Sequence, residues 1–172
     1  ILHTDQNDRN IMTKKSSNGA WWTIPYISNG SSSTWTSHTN AVQTHWSLSK
    51  AFDYFKTNFS RIGMQNDNSI LRVKVQESNN SSVAYTATYS NASEDLIKVG
   101  YHLNNFLGSL DILAHEYTHG ITRHTADLYG SGESGALNES FSDIFGIIIR
   151  NQVSGTNSWT SGSGITPYPR KI

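Results

Sequence analysis

The chain has 172 residues, enough for one domain with its own core, and 13 basic side chains balance 13 acidic ones. Only 15% of the residues are charged, so neither nucleic acid nor a membrane surface is expected as a partner. The chain has no cysteine, so a transition metal must be held by His, Asp or Glu. No signal peptide or membrane span is expected. The composition, rich in uncharged polar and aromatic residues, is typical of secreted bacterial proteins and predicts a secreted or extracytoplasmic location.

The first part of the chain predicts short strands around one helix. Residues 1–40 carry short apolar runs between Gly- and Ser-rich stretches, which indicates short strands and loops. Residues 41–60 change to a helical period, whereas 70–78 alternate apolar and polar side chains as a half-buried strand does. The stretch 81–90 is rich in β-branched and aromatic residues and is a further strand candidate, as is 96–102.

Two helices joined by a Gly-rich loop are predicted in the second part of the chain. The first spans about 109–125, with Ser109 as its N-cap and Asp111 in its first turn. The second spans about 136–151. Its predicted apolar stripe consists of Leu137, Phe141, Ile144, Phe145 and Ile148. Strands followed by helices predict an α+β domain. Asp95, which is not part of any predicted site, is expected to be a solvated charge in a loop.

The stretch 113–121, LAHEYTHGI, places two histidines four residues apart with a glutamate after the first. On a helix His115 and His119 stack on one face, where two neutral imidazoles bind one Zn²⁺ at about 2.0–2.1 Å. Glu116 lies about 100° round the helix from His115, so it is placed to accept a proton beside the metal and not to ligate it. This H-E-x-x-H pattern is a known metalloprotease motif, but it also occurs by chance, so an ordinary polar helix is the alternative.

A catalytic zinc needs a third protein ligand, and the second predicted helix offers two carboxylates. Glu139 and Asp143 lie four residues apart in GALNESFSDIFG and share the face opposite most of the apolar stripe. If the loop turns this face toward the first helix, Glu139 reaches the metal. Asp143 then accepts a hydrogen bond from the free nitrogen of a zinc-binding histidine. The alternative is that both carboxylates lie on the solvated side of the helix.

HEYTH, followed twenty residues later by the Glu of GALNESFSDIFG, closely resembles the thermolysin-like neutral metalloproteases. The resemblance is firm over 111–146 and weaker over 41–60. It implies an antiparallel β-rich N-terminal part followed by a zinc-binding helix pair. It further implies that residues 1–172 are a single N-terminal catalytic lobe. The family's helical C-terminal lobe is expected to be absent from this chain, so either a second chain completes it or the chain is a truncated form.

The resemblance also implies roles for individual residues. The implied zinc ligands are His115, His119 and Glu139. Glu116 would be the general base, Asp143 would orient the first histidine, and Asn138 would support the second. In the family an edge strand binds the substrate backbone by β-augmentation, and its equivalent here is VAYTA, with Ala84 and Tyr85 contributing. A core strand without a substrate role is the alternative for VAYTA.

The family's double calcium site is expected to be lost from this chain. Asp111 matches one of the acidic ligands of that site. The later matching positions are not acidic: Arg150, Asn157, Ser158, Thr160 and Ser163. Calcium gains affinity from carboxylate charge, so an arginine among neutral side chains would not hold two such ions.

The implied function is a zinc-dependent endopeptidase that hydrolyses peptide bonds of proteins or peptides through a zinc-activated water, with Glu116 as general base. Two alternatives stay open. The chain is a catalytically weak or inactive zinc-binding lobe that needs a second chain, because the missing lobe supplies groups that stabilise the reaction intermediate. Otherwise it is a secreted binding module whose aromatic side chains recognise sugars or peptides.

Overall fold

The computed structural model describes residues 11–16, 38–76, 87–90, 95–102, 104–128, 131–162 and 170–171. The helices in these ranges are α1 (Thr39–Phe59), α2 (Leu110–Arg123) and α3 (Gly132–Ser154). The strands are β1 (Ile11–Ser16), β2 (Leu71–Gln76), β3 (Thr88–Ser90), β4 (Leu96–Val99), β5 (Tyr101–His102), β6 (Asn105–Phe106), β7 (Thr160–Ser161) and β8 (Arg170–Lys171). This order of strands and helices confirms the α+β class.

Four strands form the main sheet in the order β1-β2-β4-β3. Strands β1, β2 and β4 run parallel to one another, and β3 pairs antiparallel with β4 at the edge of the sheet. The pairs β5–β6 and β7–β8 form two small antiparallel sheets. Three of the five pairings in the described part of the chain are therefore antiparallel, whereas the longest ones are parallel.

The core lies between the main sheet and the helices α1 and α2. On β2 the predicted alternation holds, because Leu71, Val73 and Val75 are all buried. The buried apolar side chains of the two helices are Ala41, Leu48, Ala51, Phe52, Phe55, Leu110, Leu113, Ala114, Tyr117 and Ile121. The ring of Phe55 stacks on that of Tyr117 with centroids 5.8 Å apart, which joins α1 to the middle of α2. None of the described helices is both long and apolar enough to cross a membrane.

Helix α3 meets α2 through small and polar residues and not through the predicted apolar stripe. Ser142, Gly146 and Arg150, spaced four residues apart, are buried on α3. By contrast, Leu137 and Phe141 are 45% and 44% exposed. These two residues of the apolar stripe are therefore not part of the buried face of α3. The face that carries the carboxylates turns toward α2 instead.

The close approach of the two helices depends on Gly146. A Cβ atom there would lie 2.6 Å from the main-chain oxygen of Asp111 and 3.4 Å from the main-chain nitrogen of His115. Both atoms belong to the backbone of α2, so they cannot yield unless the helices move apart.

Replacing Gly146 with alanine is therefore expected to destabilise the protein, although alanine is the better helix former by about 1 kcal/mol. The expected loss is about 1–3 kcal/mol of unfolding free energy, the usual cost of overpacking. Denaturant unfolding of Gly146→Ala measures it. The control is Ser140→Ala, at an exposed position of the same helix, which we expect to be neutral or slightly stabilising. A Gly146→Ala variant more stable than the wild type would contradict this account of the helix contact.

Candidate metal centre

Helix α2 places both motif histidines on one face. Its N-cap residue, Ser109, has extended backbone angles, and its hydroxyl donates to the Asp111 carboxylate at 2.7 Å. Four residues of helix separate His115 from His119, so their rings lie 4.5 Å apart between centroids. Their Nε2 atoms are 2.9 Å apart and face the same point in space.

The third member of the group comes from α3. The Oε2 atom of Glu139 lies 3.4 Å from Nε2 of His115, and its Oε1 atom lies 3.5 Å from Nε2 of His119. One donor atom from each of the three residues lies within 4.8 Å of the others. The structure therefore brings together the three residues that the sequence predicts as zinc ligands.

The other ring nitrogen of each histidine has a partner on α3. Nδ1 of His115 lies 2.9 Å from Oδ1 of Asp143, and Nδ1 of His119 lies 3.1 Å from Oδ1 of Asn138. Because both partners are acceptors, each Nδ1 carries a proton, which leaves Nε2 as the nitrogen of each ring that can bind a metal. The contacts match the supporting roles expected for Asp143 and Asn138.

Two further side chains, those of Ser142 and Thr122, support His119, and neither was predicted from the sequence. The hydroxyl of Ser142 lies 3.1 Å from Nδ1 of His119. The hydroxyl of Thr122 donates to the same Asn138 oxygen at 2.5 Å. The available signal is their helical spacing: Thr122 follows His119 by three residues, and Ser142 follows Asn138 by four.

The donor set fits a small divalent cation. Two unprotonated Nε2 atoms 2.9 Å apart repel each other unless a positive charge shares their lone pairs. Tetrahedral zinc with bonds of about 2.0–2.1 Å separates its ligand atoms by about 3.3–3.4 Å. The separations of 2.9, 3.4 and 3.5 Å lie close to that spacing. Two imidazoles and one carboxylate also form a known catalytic zinc set, which leaves a fourth position open.

The site is negative enough to favour a cation. Burial alone would lower the pKa of the His115 imidazole. The hydrogen bond with Asp143 and the charges of Glu116, Asp143 and Glu139 outweigh burial and leave this pKa above its ordinary value. Neutral histidine binds a metal, so a bound cation would displace the proton that these carboxylates otherwise favour.

Glu116 lies beside the three donors but does not belong to the group that could hold the metal. Its side chain is buried, and burial raises the pKa of its carboxyl above the ordinary range, against the lowering effect of the two histidines. Its Oε2 atom accepts a hydrogen bond of 2.8 Å from the main-chain N–H of Tyr89 on β3. The sequence analysis missed this contact, because a main-chain donor leaves no trace in residue type.

The residues predicted to bind substrate, Ala84 and Tyr85, lie outside the described residues, so their role stays a prediction. The described edge strand is β3, whose middle residue contacts Glu116.

The expectation that Asp95 is a solvated loop charge is wrong. This residue is 5% exposed, and its carboxylate accepts hydrogen bonds from three side chains. Its partners come from elements distant in sequence, so the sequence alone could not show its burial.

A buried arginine occupies the place where the sequence predicts a lost calcium site. The guanidinium of Arg150 lies 3.2 Å from Oδ2 of Asp111 and donates to the main-chain oxygens of Ser158 and Thr160. The same Asp111 oxygen accepts the main-chain N–H of Gly162 at 2.7 Å. One fixed positive charge thus ties the start of α2 to α3 and to the segment after it. The loss of the double calcium site stays a prediction, and this arrangement supports it.

Truncation of Arg150 to alanine is expected to cost about 3–5 kcal/mol of unfolding free energy, because it leaves the Asp111 carboxylate buried without its cation. The two side chains are only 10% and 2% exposed. The control is Arg123→Ala, which breaks an ion pair whose side chains are 33% and 72% exposed and should cost less than about 1 kcal/mol. Unfolding is measured with and without calcium, and we expect calcium to leave wild-type stability unchanged. Equal losses for the two variants, or strong stabilisation of the wild type by calcium, would contradict this interpretation.

Comparison with known proteins adds an independent line of support. The family described as thermolysin metallopeptidase, catalytic domain, matches residues 3–123, and its alpha-helical domain matches residues 126–171. The two histidines therefore fall in the first matched region and Glu139 in the second.

Individual relatives agree with these family matches. Neutral protease NprE of Bacillus pumilus is 40% identical over 132 residues, which are 73% of this chain and 40% of that protein. Bacillolysin of Bacillus subtilis (strain 168) is 40% identical over 73% of this chain and 23% of its own length. The chain thus spans less than half the length of these curated relatives. The precursor of protealysin, a metalloproteinase from Serratia proteamaculans, matches with a TM-score of 0.75 and 21% identity over 90% of this chain and 48% of that one, which shows a shared fold.

Proposed function

Because the chain belongs to the thermolysin metallopeptidase family, we propose that it carries the metal site of a zinc-dependent endopeptidase. The observation that carries the proposal is the convergence of His115, His119 and Glu139 on one point, with the Glu116 carboxylate beside them. One of these relatives is named as a neutral protease, so the substrates proposed here are proteins or peptides.

The three donors would hold the zinc ion, and the partners of the histidines would fix their orientation. A zinc ion held there would supply a Lewis acid that polarises the scissile carbonyl and acidifies a water molecule. Glu116 would accept a proton from the attacking water and deliver it to the leaving amine. Burial raises the pKa of this carboxyl, which suits a group that must both take and release a proton. The N–H of Tyr89 holds one carboxylate oxygen and leaves the other for the water.

The edge strand β3 is the proposed seat of the substrate backbone. Among the described strands it pairs only with β4, so no described strand covers its other edge. A peptide that adds there as a further strand would lie next to Glu116, because the Tyr89 N–H of β3 donates to that carboxylate. Ala84 and Tyr85 come shortly before β3 in the sequence and remain the proposed contributors to this binding.

Residues 126–171 match the family's alpha-helical domain, so the part of the helical lobe proposed to come from a second chain is the part beyond this match. The described part of the chain exposes large apolar side chains of two neighbouring helices, Phe59, Leu137 and Phe141, at 55%, 45% and 44%. Phe59 and Phe141 line a cavity of about 370 Å³ between the helices. If the lobe is needed for turnover, this chain alone is a weakly active zinc-binding lobe. The proposed location is extracytoplasmic.

Replacement of Glu116 by glutamine is expected to lower kcat about 10²- to 10⁴-fold, because the neutral amide cannot accept the proton. Zinc content should stay at one ion per chain, since Glu116 is not a ligand. Hydrolysis of casein or a furylacryloyl peptide measures the rate, and atomic absorption measures the zinc. The control, Glu133→Gln, changes an exposed acid in the first turn of α3 and should leave both unchanged.

The result also separates the alternatives. Bound zinc with equal, negligible rates for the wild type and Glu116→Gln would contradict the endopeptidase proposal for this chain and support a zinc-binding lobe. Absence of bound zinc would contradict both and favour a binding module.

A further inference from the structure

Asp95 joins four parts of the fold. Its Oδ1 atom accepts the Tyr89 hydroxyl at 2.6 Å and lies 2.9 Å from Nε2 of His124. Its Oδ2 atom accepts the side-chain amide of Gln65 at 3.0 Å, and its main-chain oxygen accepts the N–H of Arg72 at 3.0 Å. Asp95 thus connects the edge strand, the end of α2, the loop after α1, and β2.

The chemistry of this cluster calls for a carboxylate. An ionised carboxylate is an acceptor only, so it satisfies three donors at once. Burial alone would raise the pKa of Asp95, but the hydrogen bonds from His124, Tyr89 and Gln65 outweigh it and hold the pKa below its ordinary value. The cluster is therefore a built anchor and not a chance contact at the surface.

Tyr89 links this anchor to the proposed general base. Its side chain reaches Asp95, while its main-chain N–H donates to Glu116 at 2.8 Å. His124 directly follows α2, the helix that carries Glu116, so Asp95 grips the edge strand and this helix together. β3 is thus linked to α2 directly through the Tyr89 N–H and to the end of that helix indirectly, through Asp95 and His124.

We propose that Asp95 is a positioning residue for Glu116. By holding the Tyr89 phenol and the His124 imidazole, it fixes β3 against α2, so that the Tyr89 N–H keeps the Glu116 carboxylate at the metal site. The same contacts set the distance between the edge strand and that site. The consequence for hydrolysis rests on the proposed function, whereas the anchoring of the Tyr89 amide does not.

The test compares Tyr89→Phe and Asp95→Ala with the wild type in the full chain loaded with zinc. Tyr89→Phe removes one hydroxyl and keeps the main-chain N–H. Its matched control is Tyr101→Phe, at a tyrosine of a different strand. This change also removes one hydroxyl, which accepts a hydrogen bond of 2.7 Å from the side-chain amide of Asn40. The first measurement is the hydrogen-exchange rate of the residue 89 amide by NMR. The others are zinc content and kcat and KM for peptide hydrolysis.

We expect exchange of the residue 89 amide to become about tenfold faster in Tyr89→Phe, and faster still in Asp95→Ala. The amides of Val73 and Val75 in β2 should keep their rates, and zinc content should stay unchanged because no ligand or ligand partner is altered. A fall of about tenfold in kcat/KM should accompany the faster exchange. In the double variant the two effects should be less than additive, because both changes break one interaction.

The proposal would be overturned if the residue 89 amide exchanges no faster in Tyr89→Phe than in Tyr101→Phe. Equal acceleration in β2, which indicates general destabilisation, would also overturn it, as would faster exchange with kcat/KM unchanged in an active wild type. If Asp95→Ala does not fold, Tyr89→Phe alone decides. A wild type without peptidase activity counts against the proposed function, and the exchange rates still decide whether Asp95 holds the strand in place.

Discussion

The structure depends on one electrostatic constraint: two imidazole nitrogens and a carboxylate face one another across less than 5 Å. With neither a proton nor a metal cation between them, the Nε2 lone pairs of His115 and His119 would repel each other at 2.9 Å. With a divalent ion between them, the same arrangement is a ready-made ligand set. Both Nδ1–H groups are committed to acceptors on α3, so neither histidine escapes the constraint by changing its tautomer.

The rest of the fold serves to hold two helices and one strand in register around this point. The Gly146 contact lets α3 approach α2 closely enough for Glu139 to reach the histidines. Arg150 then locks the far end of α3 to the start of α2 through Asp111. On the other side of α2, Asp95 ties the end of the helix to the edge strand. The buried carboxylates of Asp111 and Asp95 each have a charged partner or several hydrogen-bond donors, because an unpaired charge is costly in a low-dielectric interior.

The histidine pair and the helices could be predicted because they depend on local spacing, whereas the role expected for Glu139 came from the family resemblance. An H-E-x-x-H motif on a helix puts two histidines on one face whatever surrounds it, and the family resemblance it suggested is confirmed by the family match. The edge strand and Asp95 could not be predicted in the same way. Tyr89 reaches Glu116 through a main-chain N–H, which every residue but proline has. Asp95 is buried among partners of which two, Gln65 and His124, are about 30 residues away in sequence. The apolar stripe of α3 did not reveal the exposure of Leu137 and Phe141, because small and polar residues of α3 pack against α2.

The central claim, that these three side chains bind one zinc ion, is tested most directly by X-ray absorption at the zinc edge on the purified chain. The account predicts one tightly held zinc with two imidazole nitrogens at about 2.0–2.1 Å and oxygen ligands at about 2.0–2.2 Å in a four-coordinate shell. The same measurement on Glu139→Gln should show a weakened or lost site, while both imidazoles stay available. A zinc shell without imidazole scattering, or one unchanged by loss of the Glu139 carboxylate, would contradict the account.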